Sequence, residues 1–167
     1  MTNLKKTFLS YIFVTALGVL LHFTYKWSGA NFIVGLFSAT NESTWEHLKL
    51  AFFPMFVLTI WNIFNTYKDD DNFLPARTIG ILSAMTFIVV VFYTFMGVVG
   101  KNIDFVNIAI YFLGIAFGFW IEKKIYGKTK FLNNNSSIII LFVLAFLFII
   151  LTHSAPDIGI FKEPNAP

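Results

Sequence analysis

Long apolar runs alternate with short polar segments along the whole chain. Five of the runs have, or nearly have, the length of about 17–25 residues that an α-helix needs to cross a bilayer. These runs cover residues 7–25, 48–65, 79–99, 105–121 and 137–152. The pattern predicts an all-α fold, a polytopic membrane bundle of five transmembrane helices, in which residues 1–167 form a single integral membrane domain.

A sixth apolar stretch, NFIVGLF at residues 31–37, is too short to cross. A helix rises only about 1.5 Å per residue. We therefore expect a short interfacial or re-entrant segment there.

The composition agrees with a location in the membrane. Hydrophobic residues make up 57% of the 167 positions and charged residues only 13%, against about 25% charge in soluble domains. The absence of cysteine excludes disulfides and thiolate chemistry. No basic stretch has the spacing of a nucleic-acid site, so the bilayer itself is the expected partner.

The distribution of positive charge predicts the orientation, because Lys and Arg are enriched in cytoplasmic loops. With an inside N-terminus, the inner side holds Lys5, Lys6, Lys68, Arg77, Lys123, Lys124, Lys128 and Lys130, and the outer side holds Lys26, Lys49, Lys101 and Lys162. The inner side thus has the larger share. We predict a multi-pass protein of the cell membrane with a cytoplasmic N-terminus and an extracellular C-terminus.

The segment NESTWEHLK, residues 41–49, concentrates polar groups at the start of the second span. Ser43 and Glu46 have the spacing of a capping box, in which the serine caps the helix and the acid reaches back to the serine amide. Trp45 suits the aromatic belt at a membrane surface. These features alone describe a helix start without a ligand site.

The three histidines, His22, His47 and His153, all fall on the predicted outer side. Ionisable groups at membrane depth are costly and usually face the bundle interior and a partner. We therefore predict an outward-facing polar pocket between the first, second and fifth spans that binds or transports a small molecule. Its predicted lining is Glu42, Ser43, Glu46, His47, Lys49, His153 and Asp157.

NESTWEHLK, followed by an apolar run with Pro54, and the C-terminal P-x-x-x-x-F-x-E-P segment at 156–164 resemble a family of small bacterial multi-span membrane proteins of unknown function. The resemblance covers most of the chain in layout and rests on these two motifs. It implies a membrane location and a role for both polar segments, but no activity.

A second similarity is to the membrane hydrolases of the alkaline ceramidase and adiponectin-receptor type. Ser43 and His47 match their S-x-x-x-H motif, whereas Asp157 stands four residues after His153 where a second histidine would be. Those proteins have seven spans. This resemblance implies a zinc-dependent hydrolase of a lipid or amide, with zinc held by His22, His47 and His153.

In that hydrolase interpretation, Glu46 or Asp157 is the general base and Ser43 orients the substrate. If the protein is not such a hydrolase, we expect no cofactor. A third interpretation is a structural or assembly partner with no ligand site.

Gly114 and Gly118 form a G-x-x-x-G pair in the fourth span. Small residues at this spacing let two helices approach closely. The pair predicts either tight packing inside the monomer or a homo-oligomer contact.

Overall fold

The computed structural model describes residues 4–68, 70–128 and 132–164. That part of the chain forms six α-helices and one 3₁₀ turn, without a β-strand. The helices are α1 (Leu4–Trp27), α2 (Phe32–Gly35), α3 (Thr44–Asn65), α4 (Phe73–Val99), α5 (Asp104–Ile125) and α6 (Asn134–His153), and the 3₁₀ turn is Gly159–Phe161. The predicted all-α fold is confirmed.

Five of these helices, all except α2, are long and apolar enough to span a membrane. They correspond to the five predicted runs and extend a few residues beyond them. Lys26, for example, still belongs to α1. A charged residue is tolerated at this helix end because its long side chain can reach the headgroup region. Large apolar side chains such as Phe8 and Phe142, each 61% exposed, lie on the outer surface of the bundle, as hydrocarbon surroundings require.

The sixth apolar stretch forms the single helical turn α2. The Asn31 side chain caps this turn by accepting hydrogen bonds from the amides of Ile33 and Val34, at 3.0 and 3.3 Å. A turn of four residues does not cross a bilayer. Phe32 and Ile33 are 63% and 66% exposed.

The two ends of the bundle carry different polar groups. α1 and α6 end where α3 begins, and His22 and His47 meet there with their ring centroids 5.3 Å apart; we call this the His22 end. α4 begins where α5 ends, and the ion pair of Arg77 and Glu122 joins the two helices there; we call this the Arg77 end.

Glycines bring α4 and α5 into close contact. A Cβ atom added at Gly118 would lie 2.7 Å from the carbonyl oxygen of Gly80 and 2.8 Å from Cβ of Ala84, and one added at Gly114 would lie 2.5 Å from Ile88. The G-x-x-x-G pair of α5 is therefore covered by α4 of the same chain. A homo-oligomer would have to use another surface.

A proline and a tyrosine join α3 to its neighbours. Pro54 lies inside α3 and has no N–H to donate to the carbonyl of Leu50 one turn earlier. The hydroxyl of Tyr111, from α5, donates to that carbonyl at 3.2 Å. Gly18 of α1 leaves the space, since a Cβ there would lie 1.9 Å from the Tyr111 hydroxyl. The broken helix bond thus becomes a contact between helices.

The C-terminal segment folds back over the start of α3. The Trp45 ring packs between Phe148 of α6 and Phe161 of the 3₁₀ turn, with ring centroids 4.6 and 5.0 Å away. The amide of Glu42 donates to Oε1 of Glu163 at 3.4 Å. Trp45 therefore attaches the C-terminal segment to the bundle. The folded-back segment covers this ring, which the sequence pattern predicts in the aromatic belt at the membrane surface.

Candidate functional site

The connection between α2 and α3 is attached to the end of α1 through a buried serine. Ser38 accepts hydrogen bonds from the amide of Tyr25 and the hydroxyl of Thr24, both at 3.0 Å, and donates to the carbonyl of Leu21. Ser38 has no exposed surface. These bonds place the residues that follow, among them Thr40 and Glu42, against the start of α3.

Ser43 caps α3 as the sequence predicts. Its side chain accepts the amide hydrogen of Glu46 at 3.3 Å, and the serine is only 1% exposed. The second half of the capping box is absent, because the Ser43 amide donates to Oδ1 of Asn41 at 2.9 Å instead. The Glu46 carboxylate is therefore free to take other partners.

Glu46 forms a buried ion pair with Lys49. Nζ of Lys49 lies 2.6 Å from Oε2 of Glu46, and the two residues are 0% and 2% exposed. The remaining Lys49 donors reach the carbonyl of Gly35 at 2.8 Å and the hydroxyl of Thr152 at 2.9 Å. Glu46 also accepts from the amide and the hydroxyl of Thr40, at 2.8 and 2.9 Å.

The hydrogen-bonding capacity of Lys49 is used up inside the protein. An ammonium group has three donors, and each has an acceptor here. Thr152 approaches Glu46 to 3.2 Å as well. The pair therefore joins α2, the α2–α3 connection, α3 and α6, and neither charge is available to a ligand without breaking these contacts.

His22, Glu42 and His47 form a second, more accessible group, which we call the histidine cluster. One potential ligand atom from each of the three lies within 4.8 Å of the other two. Nε2 of His47 is 3.3 Å from Oε2 of Glu42, and these side chains are 36% and 51% exposed. Two imidazoles and a carboxylate are a donor set that zinc uses in proteins.

The hydrogen bonds of His47 determine which of its nitrogens can bind a metal. Nδ1 lies 2.9 Å from the carbonyl oxygen of Ser43, and a carbonyl only accepts, so Nδ1 carries the proton. Nε2 faces the Glu42 carboxylate at 3.3 Å and donates to it while it carries a proton. Loss of that proton leaves on Nε2 the lone pair that can bind a metal. Metal-binding histidines are typically held in this way through the second nitrogen.

His22 and Glu42 complete the cluster from two other segments. Nδ1 of His22 is buried and has no hydrogen-bond partner among the described residues, and a buried polar atom without a partner is destabilising. The hydrogen bond with His47 lowers the pKa of the Glu42 carboxyl below its usual value. Glu42 is thus a carboxylate at neutral pH.

The structure places His153 and Asp157, the other two residues of the predicted pocket lining, apart from the buried ion pair and the histidine cluster. The His153 ring stacks on Phe32 with centroids 4.4 Å apart, and His153 does not belong to the described group of potential metal ligands. Asp157 pairs with Lys162 at 2.7 Å while its side chain is 90% exposed. That salt bridge lowers the pKa of the Asp157 carboxyl.

Sequence reasoning did not find Thr40 and Thr152 as partners of the buried pair. Thr40 lies in the connection before α3 and Thr152 lies near the end of α6, and neither position has a local spacing to Glu46 that marks it. The Arg77–Glu122 pair was also missed, although Arg77 is the only arginine in the sequence, a signal that could have found it because arginine is suited to buried ion pairs.

Between α1, α3 and α6 the molecule has an apolar groove of about 810 Å³. Its lining is Leu17, Leu21, Phe37, Phe53, Phe56, Val57, Ile60, Phe142, Val143, Ala145, Phe146 and Ile149. None of the predicted polar pocket residues belongs to it. The candidate site is therefore the histidine cluster and not the space between the spans.

A comparison with protein families gives a match along the chain. The model of a family of unknown function, DUF6512, matches residues 1–166. No curated protein and no solved structure matches the chain. The predicted similarity to a family of unknown function along most of the chain is confirmed, and the similarity to the alkaline ceramidase type stays a prediction.

Proposed function

Since the chain belongs to the family of unknown function DUF6512, we propose its function from the geometry of the histidine cluster: it is a multi-pass membrane protein that binds a divalent metal ion, Zn²⁺ or a similar transition metal. The ion takes the place of the small molecule that the sequence pattern predicts. The positive-charge asymmetry supports an outer location for the cluster.

The observation that carries the proposal is the convergence of three ligand atoms from three segments. Ligand atoms around a tetrahedral zinc ion, with bonds of about 2.0–2.1 Å, lie about 3.3 Å apart. The distance from His47 Nε2 to Glu42 Oε2 is 3.3 Å. The half-exposed Glu42 side chain can adjust to bring the group of three, now within 4.8 Å, around one ion.

The surroundings of the cluster support metal binding over the hydrolase interpretation. Glu46, one of the two bases that interpretation uses, is 2% exposed and paired with Lys49. Asp157, the other, is paired with Lys162. The metal ligands that the geometry supports are His22, His47 and Glu42, with Glu42 in the position that the resemblance gave to His153.

The experiment is a calorimetric Zn²⁺ titration of the detergent-purified protein, stripped of metal beforehand with a chelator that is then removed. We expect one ion per chain. His22→Ala, His47→Ala and Glu42→Gln should each weaken the affinity by about tenfold or more. Because a protonated imidazole cannot bind metal, the affinity should fall as the pH is lowered and the two histidines become protonated.

His153→Ala is the matched control, since it removes a histidine at the same end of the bundle. It should keep the wild-type affinity. Equal losses from His153→Ala and His47→Ala would contradict the cluster and favour the three-histidine set of the hydrolase resemblance. Absence of Zn²⁺ binding by the correctly folded wild-type protein would overturn the proposal.

A further inference from the structure

The Arg77 end of the bundle contains a polar cavity of about 250 Å³. The first turns of α1, the last turns of α3 and α5, and the start of α4 surround it. Its lining is Lys6, Thr7, Leu9, Ser10, Phe13, Leu58, Trp61, Asn62, Thr66, Tyr67, Arg77, Phe119, Glu122, Lys123 and Tyr126. The histidine cluster has no part in it.

Arg77 forms one wall of this cavity and is only 3% exposed. Its Nε and Nη2 atoms donate to the two carboxylate oxygens of Glu122, at 2.7 and 3.0 Å. The rings of Phe73 and Phe119 lie on the guanidinium, with centroids 5.1 and 5.3 Å from Cζ. The geometry holds the guanidinium rigidly in one orientation.

The third nitrogen of that guanidinium has no acceptor. Nη1 of Arg77 is buried and makes no hydrogen bond to any described residue. Glu122 already uses both of its oxygens on the other two nitrogens. A buried charged donor without an acceptor is destabilising, so this side of the cavity favours a ligand that brings an acceptor to Arg77.

The charge of the cavity favours an anion. Lys6, Arg77 and Lys123 contribute three positive charges and Glu122 one negative charge, which leaves a net charge of +2 on the lining residues. In the described part of the chain neither lysine forms an ion pair. Burial raises the pKa of Tyr67, so its hydroxyl stays protonated and can donate.

We propose that this cavity binds the phosphate group of an anionic ligand. Arg77 Nη1 is the buried donor, and Lys6 and Lys123 neutralise the charge at the rim. The volume is below the range of about 300–1,000 Å³ that drug-sized ligands occupy, which suits a single phosphate group.

The position of the cavity agrees with a ligand at headgroup level. Trp61 lines it and is 63% exposed, and tryptophan is enriched at the membrane–water interface. Basic pockets between transmembrane helices bind anionic lipid headgroups. The phosphate can thus belong to a phospholipid or to a soluble ion, and the experiment separates these sources.

The test measures thermal unfolding and ligand occupancy of the purified full-length protein in neutral detergent. One arm adds phosphatidylglycerol, with phosphatidylcholine as the matched zwitterionic lipid, and native mass spectrometry counts the lipids bound. The other arm adds inorganic phosphate, with sodium chloride at equal ionic strength. We expect saturable binding of one phosphate-bearing ligand in at least one arm, together with a higher unfolding temperature.

Two variants test the residues. The double variant Lys6→Gln/Lys123→Gln changes exposed side chains only and should fold normally while weakening binding about tenfold. Arg77→Lys keeps a charge opposite Glu122 but has no Nη1 donor, and arginine and lysine are not equivalent in such forks; it should weaken binding to a similar extent. Lys124→Gln is the control, because Lys124 lies over the Trp120 ring, 4.7 Å from its centroid, outside the cavity lining.

The outcomes decide the proposal and its source. Binding of phosphatidylglycerol that the double variant weakens and Lys124→Gln leaves unchanged supports a lipid phosphate, and the same pattern with inorganic phosphate supports a soluble one. No binding in either arm overturns the proposal. Binding that Lys124→Gln weakens as much as the double variant also overturns it, since the attraction would then be general to the basic surface.

Discussion

At the level of single residues, Glu46 and Lys49 decide how the start of α3 is held. Both charges are buried, and burial of an ion pair is costly unless further hydrogen bonds complete it. Thr40, Thr152 and the carbonyl of Gly35 provide those bonds. The pair is thus an internal junction of the polar end of the bundle.

Lys49→Met should unfold the protein more easily, because it leaves the Glu46 carboxylate buried without its counter-charge. We expect a loss of about 3–5 kcal/mol in the free energy of unfolding. The combined change Lys49→Met/Glu46→Leu should recover a large part of it, since no buried charge then remains. Chemical unfolding in mild detergent, followed by tryptophan fluorescence, measures both.

Lys162→Met is the control for this prediction. Lys162 also pairs with a carboxylate, that of Asp157, but its side chain is 57% exposed, and exposed pairs contribute little to stability. If Lys49→Met costs no more than Lys162→Met, the buried pair does not hold the structure together.

At the level of helices, the contact between α4 and α5 depends on glycine. Gly118 lies against the backbone of Gly80, where an added Cβ would approach a carbonyl oxygen to 2.7 Å. Backbone cannot move aside as the end of a flexible side chain can. Close approach of these two helices also brings Arg77 to Glu122 at 2.7 Å.

Gly118→Ala should therefore separate α4 from α5 and lower the free energy of unfolding by about 1–3 kcal/mol. Gly97→Ala is the matched control, because no atom lies within 4 Å of the Cβ it would add and alanine favours a helix interior. It should be neutral or slightly stabilising. Thermal unfolding compares the two, and light scattering reports the oligomeric state.

A change in oligomeric state without a change in monomer stability would revive the homo-oligomer interpretation of Gly114 and Gly118. Equal stability of Gly118→Ala and Gly97→Ala would show that the helix contact tolerates a methyl group.

At the level of the whole molecule, the bundle has a metal-binding candidate at one end and a basic cavity at the other. If all five candidate helices span the membrane, we expect Leu4 and His153 on opposite sides of it and Lys128 on the side of Leu4. The direction of this arrangement rests on the Lys and Arg count alone.

Reporter fusions at Lys128 and at the C-terminus test the orientation. We expect a cytoplasmic reporter at Lys128 and an external one at the C-terminus, because the inner side has the larger share of Lys and Arg. The reversed result would place the histidine cluster in the cytoplasm and the basic cavity outside, in contradiction to the predicted topology.

The sequence by itself determined the number of spans, their approximate ends and the cap of α3. These features are local: the apolar character of about 20 consecutive residues decides whether a helix spans the membrane, and Ser43 caps an amide only three positions away. Because the Ser43 side chain and this amide are so close along the chain, they meet in most of the conformations available to them.

Only the tertiary structure decided the partner of each polar side chain. Glu46 meets Thr152 across 106 positions and Arg77 meets Glu122 across 45, and His153 stacks on Phe32 while Glu42 joins His22 and His47. Helix spacing relates a residue only to neighbours three or four positions away. Close contacts, such as that of Gly118 with Gly80, decide which helices pack together and how each helix is rotated about its axis. The apolar pattern of the sequence does not encode these contacts.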